Sequence, residues 1–213
     1  MVMQALIFDC DGVLVDTERD GHRQAFNEAF NEKGLGQTWS VERYGELLTT
    51  AGGKERMRRD FNETEWPVGE DERDALIIDL HALKTRIFME LIQSGRLPLR
   101  PGVARLVDEA IAAGLTLAVC STSNEKAVQA VVDTMLGPQR AAHIPVFAGD
   151  IVPAKKPDPA IYLLAARELR LDPSQVVVVE DSNNGLCAAL GAGMACIVTT
   201  SSYTADEDFS GAA

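Results

Sequence analysis

Four consecutive valines, Val176-Val177-Val178-Val179, are followed at once by Glu180 and Asp181. A β-branched run without polar alternation is what a strand buried on both faces requires, and such strands belong to parallel sheets covered by helices. Three further runs share this character: Ala5-Leu6-Ile7-Phe8, Leu115-Thr116-Leu117-Ala118-Val119-Cys120 and Ala195-Cys196-Ile197-Val198. Val146-Phe147-Ala148 is a shorter candidate. Helical stretches separate them. One is expected over 124–135, and Asp158-Pro159 is a helix start, with Asp as cap and Pro in the first turn. Strands alternating with helices imply an α/β fold with a parallel sheet and right-handed crossovers.

The alternation is interrupted after the first strand. Few strand signals occur between residues 17 and 96. Ala25, Phe26, Ala29 and Phe30 make one apolar helix stripe, and Leu76, Leu80, Leu83, Ile87 and Leu91 make another. The expected organisation is an α/β core formed by 1–16 and 97–213, with a helical insert over 17–96. Such an insert is compatible with the core if its two ends lie close together.

The formal net charge of −12 argues against a nucleic-acid or anionic-membrane partner, either of which needs a basic face. No apolar run is long enough to span a bilayer, and no secretory signal precedes the first strand. The chain is expected to be soluble and monomeric; a removed transit peptide would leave no trace. Cys10, Cys120, Cys187 and Cys196 show no metal-ligand spacing, and the first, second and fourth lie in or beside strand candidates, as small hydrophobes do.

Ligands of open parallel sheets bind beyond the carboxyl ends of the strands. The first strand ends at Asp9-Cys10-Asp11-Gly12, the 115–120 strand at Ser121-Thr122-Ser123-Asn124, the short strand leads to Lys155-Lys156-Pro157, and the valine run ends at Glu180-Asp181-Ser182. Alone, the Asp9/Asp11 pair fits a helix cap or a solvated turn as well as a site. Ser121 alone fits a cap, and Lys156 alone a surface lysine. Together they supply what phosphoryl transfer needs. The Asp9/Asp11 pair suits carboxylate nucleophilic attack assisted by an acid/base neighbour, and Mg²⁺ can be held by acids that include Asp181. Glu180 can ligate the metal or orient a metal-bound water. Lys156 is a cation for the phosphoryl oxygens, and Ser121 with neighbouring N–H groups can hold the same oxygens.

These residues bring the chain to a family. Phe8-Asp9-Cys10-Asp11-Gly12-Val13-Leu14-Val15-Asp16-Thr17, then Ser121, then Lys156-Pro157-Asp158-Pro159, then Glu180-Asp181-Ser182 resemble, in order, the four motifs of the haloacid-dehalogenase-like hydrolase superfamily. The resemblance spans nearly the whole chain. It implies a Rossmann-like core with the helical insert as a cap, and an aspartyl-phosphate on Asp9. It further implies that Asp11 protonates the leaving group and then activates water. The implied metal ligands are Asp9, the Asp11 backbone carbonyl and Asp181.

The insert also resembles the CbbY-type phosphatases of xylulose-1,5-bisphosphate. The residues concerned are Glu18, His22, Tyr44-Gly45-Glu46-Leu47-Leu48, Gly52-Gly53-Lys54-Glu55-Arg56 and Leu99-Arg100-Pro101-Gly102. This implies substrate contacts from Glu18, Tyr44, Gly52, Gly53, Lys54 and Arg56, alongside Ser121, Thr122 and Lys156 in the core. Consecutive glycines before a helix can offer N–H groups to an anion, so the cluster of Lys54, Arg56, Arg58 and Arg59 reads either as a second phosphate site or as a solvated helix face. His22 lies four residues after Glu18, where many capped relatives have three, and reads as a helix-surface histidine as readily as a ligand. The implied product is xylulose 5-phosphate, the substrate being an inhibitory by-product of Rubisco. The run from Thr17 to His22 is similar to the version in photosynthetic eukaryotes, which implies the chloroplast stroma, or the cytoplasm for a bacterial source. The chain stops soon after its last strand candidate, where such relatives continue into another helix. A sugar-phosphate mutase of the beta-phosphoglucomutase type is the alternative, and a phosphorylated signalling module is disfavoured by the insert.

Overall fold

The computed structural model describes residues 3–50 and 52–213. Ala51, inside the glycine-containing run of the insert, lies outside the described residues. The chain divides into two compact units, one made of residues up to Thr17 together with Gly95–Ala213, the other Glu18–Ser94.

In chain order the elements are β1 (Ala5–Phe8), then α1 (Arg23–Glu32), α2 (Val41–Leu48), α3 (Gly53–Glu63) and α4 (Arg73–Gln93), then α5 (Val103–Ala112), β2 (Thr116–Ser121), α6 (Glu125–Val131), α7 (Pro138–Ala141), β3 (Val146–Ala148), α8 (Ala160–Leu169), β4 (Val176–Glu180), α9 (Asn183–Gly191) and β5 (Ala195–Val198). Among the described residues the five strands form one sheet in the order β3-β2-β1-β4-β5. Every pairing is parallel, and β1 is central, with Phe8 opposite both Val119 and Val179. All four residues of β1 are buried, as an apolar run with neighbours on both edges and helices on both faces must be. The chain runs outward from β1 to β3 and then returns to β4. The carboxyl ends of β1 and β4 therefore flank the point where strand order reverses, where a crevice opens in such sheets.

Local differences from the sequence expectation have local causes. β2 starts at Thr116 because Leu115 N–H still closes the end of α5 on Ala110 O. The helix expected over 124–135 stops at Val131 and continues as a wide π turn, Val132–Leu136; its cap is Asn124, whose side chain accepts from the N–H groups of Lys126 and Ala127. Pro159 directly precedes α8, and Asp158 accepts from Ala160 N–H.

In the helical unit, Ala25, Phe26, Ala29 and Phe30 of α1 are buried as expected. Phe26 and Phe30 pack with Trp39, whose indole N–H donates to the buried Asp60 carboxylate at 2.6 Å. The stripe on α4 needs correction. Its buried members are Ile77, Leu80, Lys84, Ile87, Phe88, Leu91 and Ile92, so Lys84 is buried where Leu83 was expected.

Candidate active site

Asp9 follows β1 directly, and Glu180 and Asp181 end and follow β4. All three acids are buried, and each has a carboxylate oxygen within 4.8 Å of the others. Asp9 is pushed well above the ordinary carboxylate range by burial, opposed by Lys156 and reinforced by Glu180 and Asp11. Burial likewise raises Asp181 to about 7, against a hydrogen bond from Ser201 and with Glu180 and Asp11 adding to the rise. Oxygen donors crowded so closely are stable together when a divalent cation lies among them, so the donor set fits a hard metal ion. The Asp11 carboxylate is not a member of this group.

The cation facing them is Lys156, whose side chain is buried. Its ammonium donates to Asp9 Oδ1 at 2.6 Å, Glu180 Oε1 at 2.7 Å and the Cys120 carbonyl at 2.8 Å. Burial alone would lower this lysine; the attraction of Asp9 and Glu180 outweighs it, and the net shift is upward. Glu180 Oε1 also accepts from the Tyr162 hydroxyl at 2.5 Å, and Glu180 Oε2 accepts from Asp181 N–H at 3.2 Å. Both oxygens thus have protein donors, and Glu180 serves as the anchor of Lys156. Two glycines make room for these acids. A Cβ on Gly185 would lie 1.9 Å from Glu180 Cδ, and one on Gly12 would lie 2.0 Å from Asp181 Oδ2.

Asp11 faces hydroxyl groups. Thr17 Oγ1 donates to its Oδ1 at 2.6 Å and Ser123 Oγ to its Oδ2 at 2.5 Å, with a longer contact from Ser121 Oγ at 3.4 Å. Ser121 is not a helix cap: it is buried at the end of β2, and its Oγ accepts from Ser123 N–H at 3.1 Å. Thr122 is half-buried, and its carbonyl accepts from the exposed Lys155, which also pairs with Asp150. Sequence reasoning did not assign Ser123, Thr17 or Tyr162 to the site; their contacts run to residues distant in sequence or to a turn whose path spacing alone does not give.

The helical unit carries a second polar cluster. Tyr44 is fully buried, and its hydroxyl donates to Glu18 Oε2 at 2.6 Å. Arg56 donates to the Tyr44 oxygen at 3.1 Å and to the Thr50 carbonyl at 3.0 Å, and its Nη1 lies 3.8 Å from Glu18 Oε2. Glu18, Tyr44 and Arg56 are thereby brought together. Gly52 precedes α3 in the left-handed region, with Glu55 Oε2 only 2.3 Å from where its Cβ would stand; Gly53 lies against Phe26 and His81, and Lys54 is half-buried. Of the basic residues on α3, Arg58 pairs with Asp74 at 2.8 Å and Arg59 with Glu63 at 2.7 Å, as on a solvated helix face, whereas Arg56 turns to Tyr44 and Glu18.

His22 is not a free surface residue. It ends a π turn over Thr17–His22, a form in which a helix absorbs an extra residue. Its ring packs on Phe88 at 3.9 Å, and its Nδ1 lies 2.9 Å from Lys84 Nζ. Lys84 also stands over the rings of Phe26 and Phe88. Burial lowers it to about 8, with Glu18 opposing the shift and Arg56 adding to it. His22 is held well below its ordinary value by burial, then by Lys84 and Arg56.

A sheet edge of this kind defines a class. The family model of haloacid dehalogenase-like hydrolases matches residues 3–193, and the chain belongs to that family. It is 62% identical over 212 residues to the CBBY-like protein of Arabidopsis thaliana, covering 98% of this chain and 66% of that protein. It is 45% identical to protein CbbY of Cereibacter sphaeroides, covering 99% of this chain and 90% of the relative. Crystal structures of CbbY from Rhodobacter sphaeroides match it with a TM-score of 0.76 at 43% identity, over 99% of this chain and 92% of theirs. One is in complex with phosphate, and another, of a mutant, with xylulose-(1,5)bisphosphate. A beta-phosphoglucomutase from Clostridium difficile shares the fold, with a TM-score of 0.63 at 21% identity. Family and relatives make the chain an enzyme of the phosphoric monoester hydrolase class.

Proposed function

We propose that this protein hydrolyses xylulose-1,5-bisphosphate to xylulose 5-phosphate and phosphate, through an aspartyl-phosphate on Asp9. The observation that carries this reading is the unlike treatment of two neighbouring acids. Asp9 Oδ1 is held by the Lys156 ammonium, whereas Asp11 is held by Thr17 and Ser123 hydroxyls. The first is a carboxylate beside a fixed cation, suited to attack on phosphorus. The second is poised to give a proton to the departing sugar oxygen and then take one from water.

In this scheme Asp9 forms an O–P bond as the bond to the sugar oxygen breaks, and Asp11 protonates that oxygen. Water, losing its proton to Asp11, then cleaves the aspartyl-phosphate. Lys156 stabilises charge on the phosphoryl oxygens throughout, and Ser121 with nearby N–H groups helps to orient them. Mg²⁺ would be held by Asp9, Asp181 and the Asp11 backbone carbonyl, with Glu180 beside it; when bound, it supplies further neutralisation of negative charge. Glu18, Tyr44, Lys54 and Arg56 are the residues we assign to the remainder of the substrate, including its second phosphate. A location in the chloroplast stroma goes with this reading, through the resemblance of the run from Thr17 to His22 to the version in photosynthetic eukaryotes.

The test is phosphate release from xylulose-1,5-bisphosphate with Mg²⁺ present. Asp9→Asn is expected to lose about three orders of magnitude or more in kcat. Equal rates would reject Asp9 as nucleophile. Phosphorus NMR of a hexose 1-phosphate checks the mutase alternative, which requires an isomerised ester in place of free phosphate.

A further inference from the structure

Tyr162, on α8, is fully buried. Its hydroxyl donates to Glu180 Oε1, and its ring face lies 4.9 Å from Lys156 Nζ. Lys156 donates to that same Glu180 oxygen while also reaching Asp9 and the Cys120 carbonyl. An ammonium has three protons, and these acceptors engage all of them. Two carboxylates therefore compete for one cation, and a phenol stands on one of the competitors.

We propose that Tyr162 is a positioning residue for Lys156: its O–H shares Glu180 Oε1 with the ammonium and its ring supports the ammonium's face, so that the cation stays at Asp9. Glu180 is 1% exposed and Asp9 7%, so Glu180 has less solvent to satisfy it. As an acceptor of Lys156 alone it would pull the harder of the two in a low-dielectric interior. The phenol O–H takes up part of that acceptor capacity. The Glu180 carboxylate stands close against Gly185, in the space that a side chain there would need. Tyr162 is thus the contact that can be removed without deleting a charge. The inference rests on Asp9 being the nucleophile.

Tyr162→Phe keeps the ring and removes the O–H; Tyr162→Leu removes both. The probe is beryllium fluoride with Mg²⁺, which forms a trifluoroberyllate adduct on an accessible carboxylate and mimics a phosphoryl group. Fluorine NMR of the wild type should show bound resonances that Asp9→Asn abolishes. In Tyr162→Phe the fluorine nearest Lys156 should shift, and kcat should fall about tenfold with KM within about twofold, because Lys156, which the O–H helps to hold at Asp9, acts on charge developing in the transition state. Tyr162→Leu should lose more. Introduced into Glu180→Gln, the Phe change should alter kcat by less than about twofold, since a neutral amide no longer draws the ammonium. No adduct in the wild type would overturn the nucleophile and this inference together. An adduct with identical fluorine shifts in wild type and a folded Tyr162→Phe would overturn this inference alone, as would a full effect of the Phe change in the Glu180→Gln background.

Discussion

Gly12 and Asp181 compete for one volume: a Cβ at Gly12 would stand 2.0 Å from Asp181 Oδ2 and 2.4 Å from its Cγ. The backbone at Gly12 has φ +81°, and Arg100 binds its carbonyl while also donating to the carbonyls of Thr199 and Thr200. The loop after β1 is thereby tied to the loop after β5, with Asp181 against it. Gly12→Ala has to meet left-handed strain of about 1–3 kcal/mol as well as the collision. We expect Asp181 to be displaced, kcat to fall by about 100-fold or more, and Mg²⁺ affinity by calorimetry to drop, with the circular dichroism spectrum retained. Normal Mg²⁺ affinity in this variant would show that Asp181 does not need its present position.

The hydroxyl groups on Asp11 yield a second expectation. Thr17→Val and Ser123→Ala each remove one donor from its carboxylate, which should cost about five- to tenfold in kcat on the sugar bisphosphate. The effect should depend on the leaving group. A nitrophenolate departs without a proton, so p-nitrophenyl phosphate should lose less than the sugar ester in both variants. Equal losses on the two substrates would mean that the hydroxyls serve structure and not proton transfer.

The strands were legible because their cause is local: β-branched and apolar runs such as 176–179 and 195–198 carry the signature of burial in their own composition. The motif acids were legible because each follows such a run. What lay hidden depends on partners far along the chain. Tyr162 sits in an apolar helix stretch and reads as core packing until Glu180 is seen at its hydroxyl. Ser123 reads as a loop serine until the sheet brings it to Asp11. Lys84 was missed for the opposite reason. A lysine beside Leu83 implies a solvent-facing position, yet the α4 stripe runs through Lys84, where Phe26, Phe88 and His22 enclose it.

The raised Asp181 makes a pH-dependent expectation with a definite sign. Burial pushes its carboxyl up to about 7 in the folded, metal-free protein, against an ordinary 3.8 in the unfolded chain. Between these values the folded state holds the extra proton, so this group's contribution to stability declines as pH rises. Asp181→Asn imitates the protonated form at every pH. Without metal, the variant should melt above the wild type at pH 8, with the gap closing towards pH 5. Comparing the two chains at each pH cancels the titrations of His22, His81 and the exposed acids. A gap independent of pH would contradict the shift.

Lys84 is a cation kept at a cost. Burial lowers it to about 8, Glu18 opposes that shift, and Arg56 adds to it. The unfolded chain holds the proton up to about 10.5, so stability from this group rises with pH between 8 and 10.5 and the penalty is fully present below 8. Lys84→Met, of similar length and without charge, should therefore raise the melting temperature at pH 7, and the gain should shrink by pH 10. The same change removes a positive neighbour from His22, whose imidazole should titrate at higher pH in proton NMR. A cation retained against its own burial, in the unit that also carries Glu18, Tyr44 and Arg56, is expected to serve turnover. Lys84→Met should accordingly lose about tenfold or more in kcat/KM for xylulose-1,5-bisphosphate while gaining stability. A variant that gains stability and keeps full turnover would make Lys84 a packing residue, its ammonium dispensable.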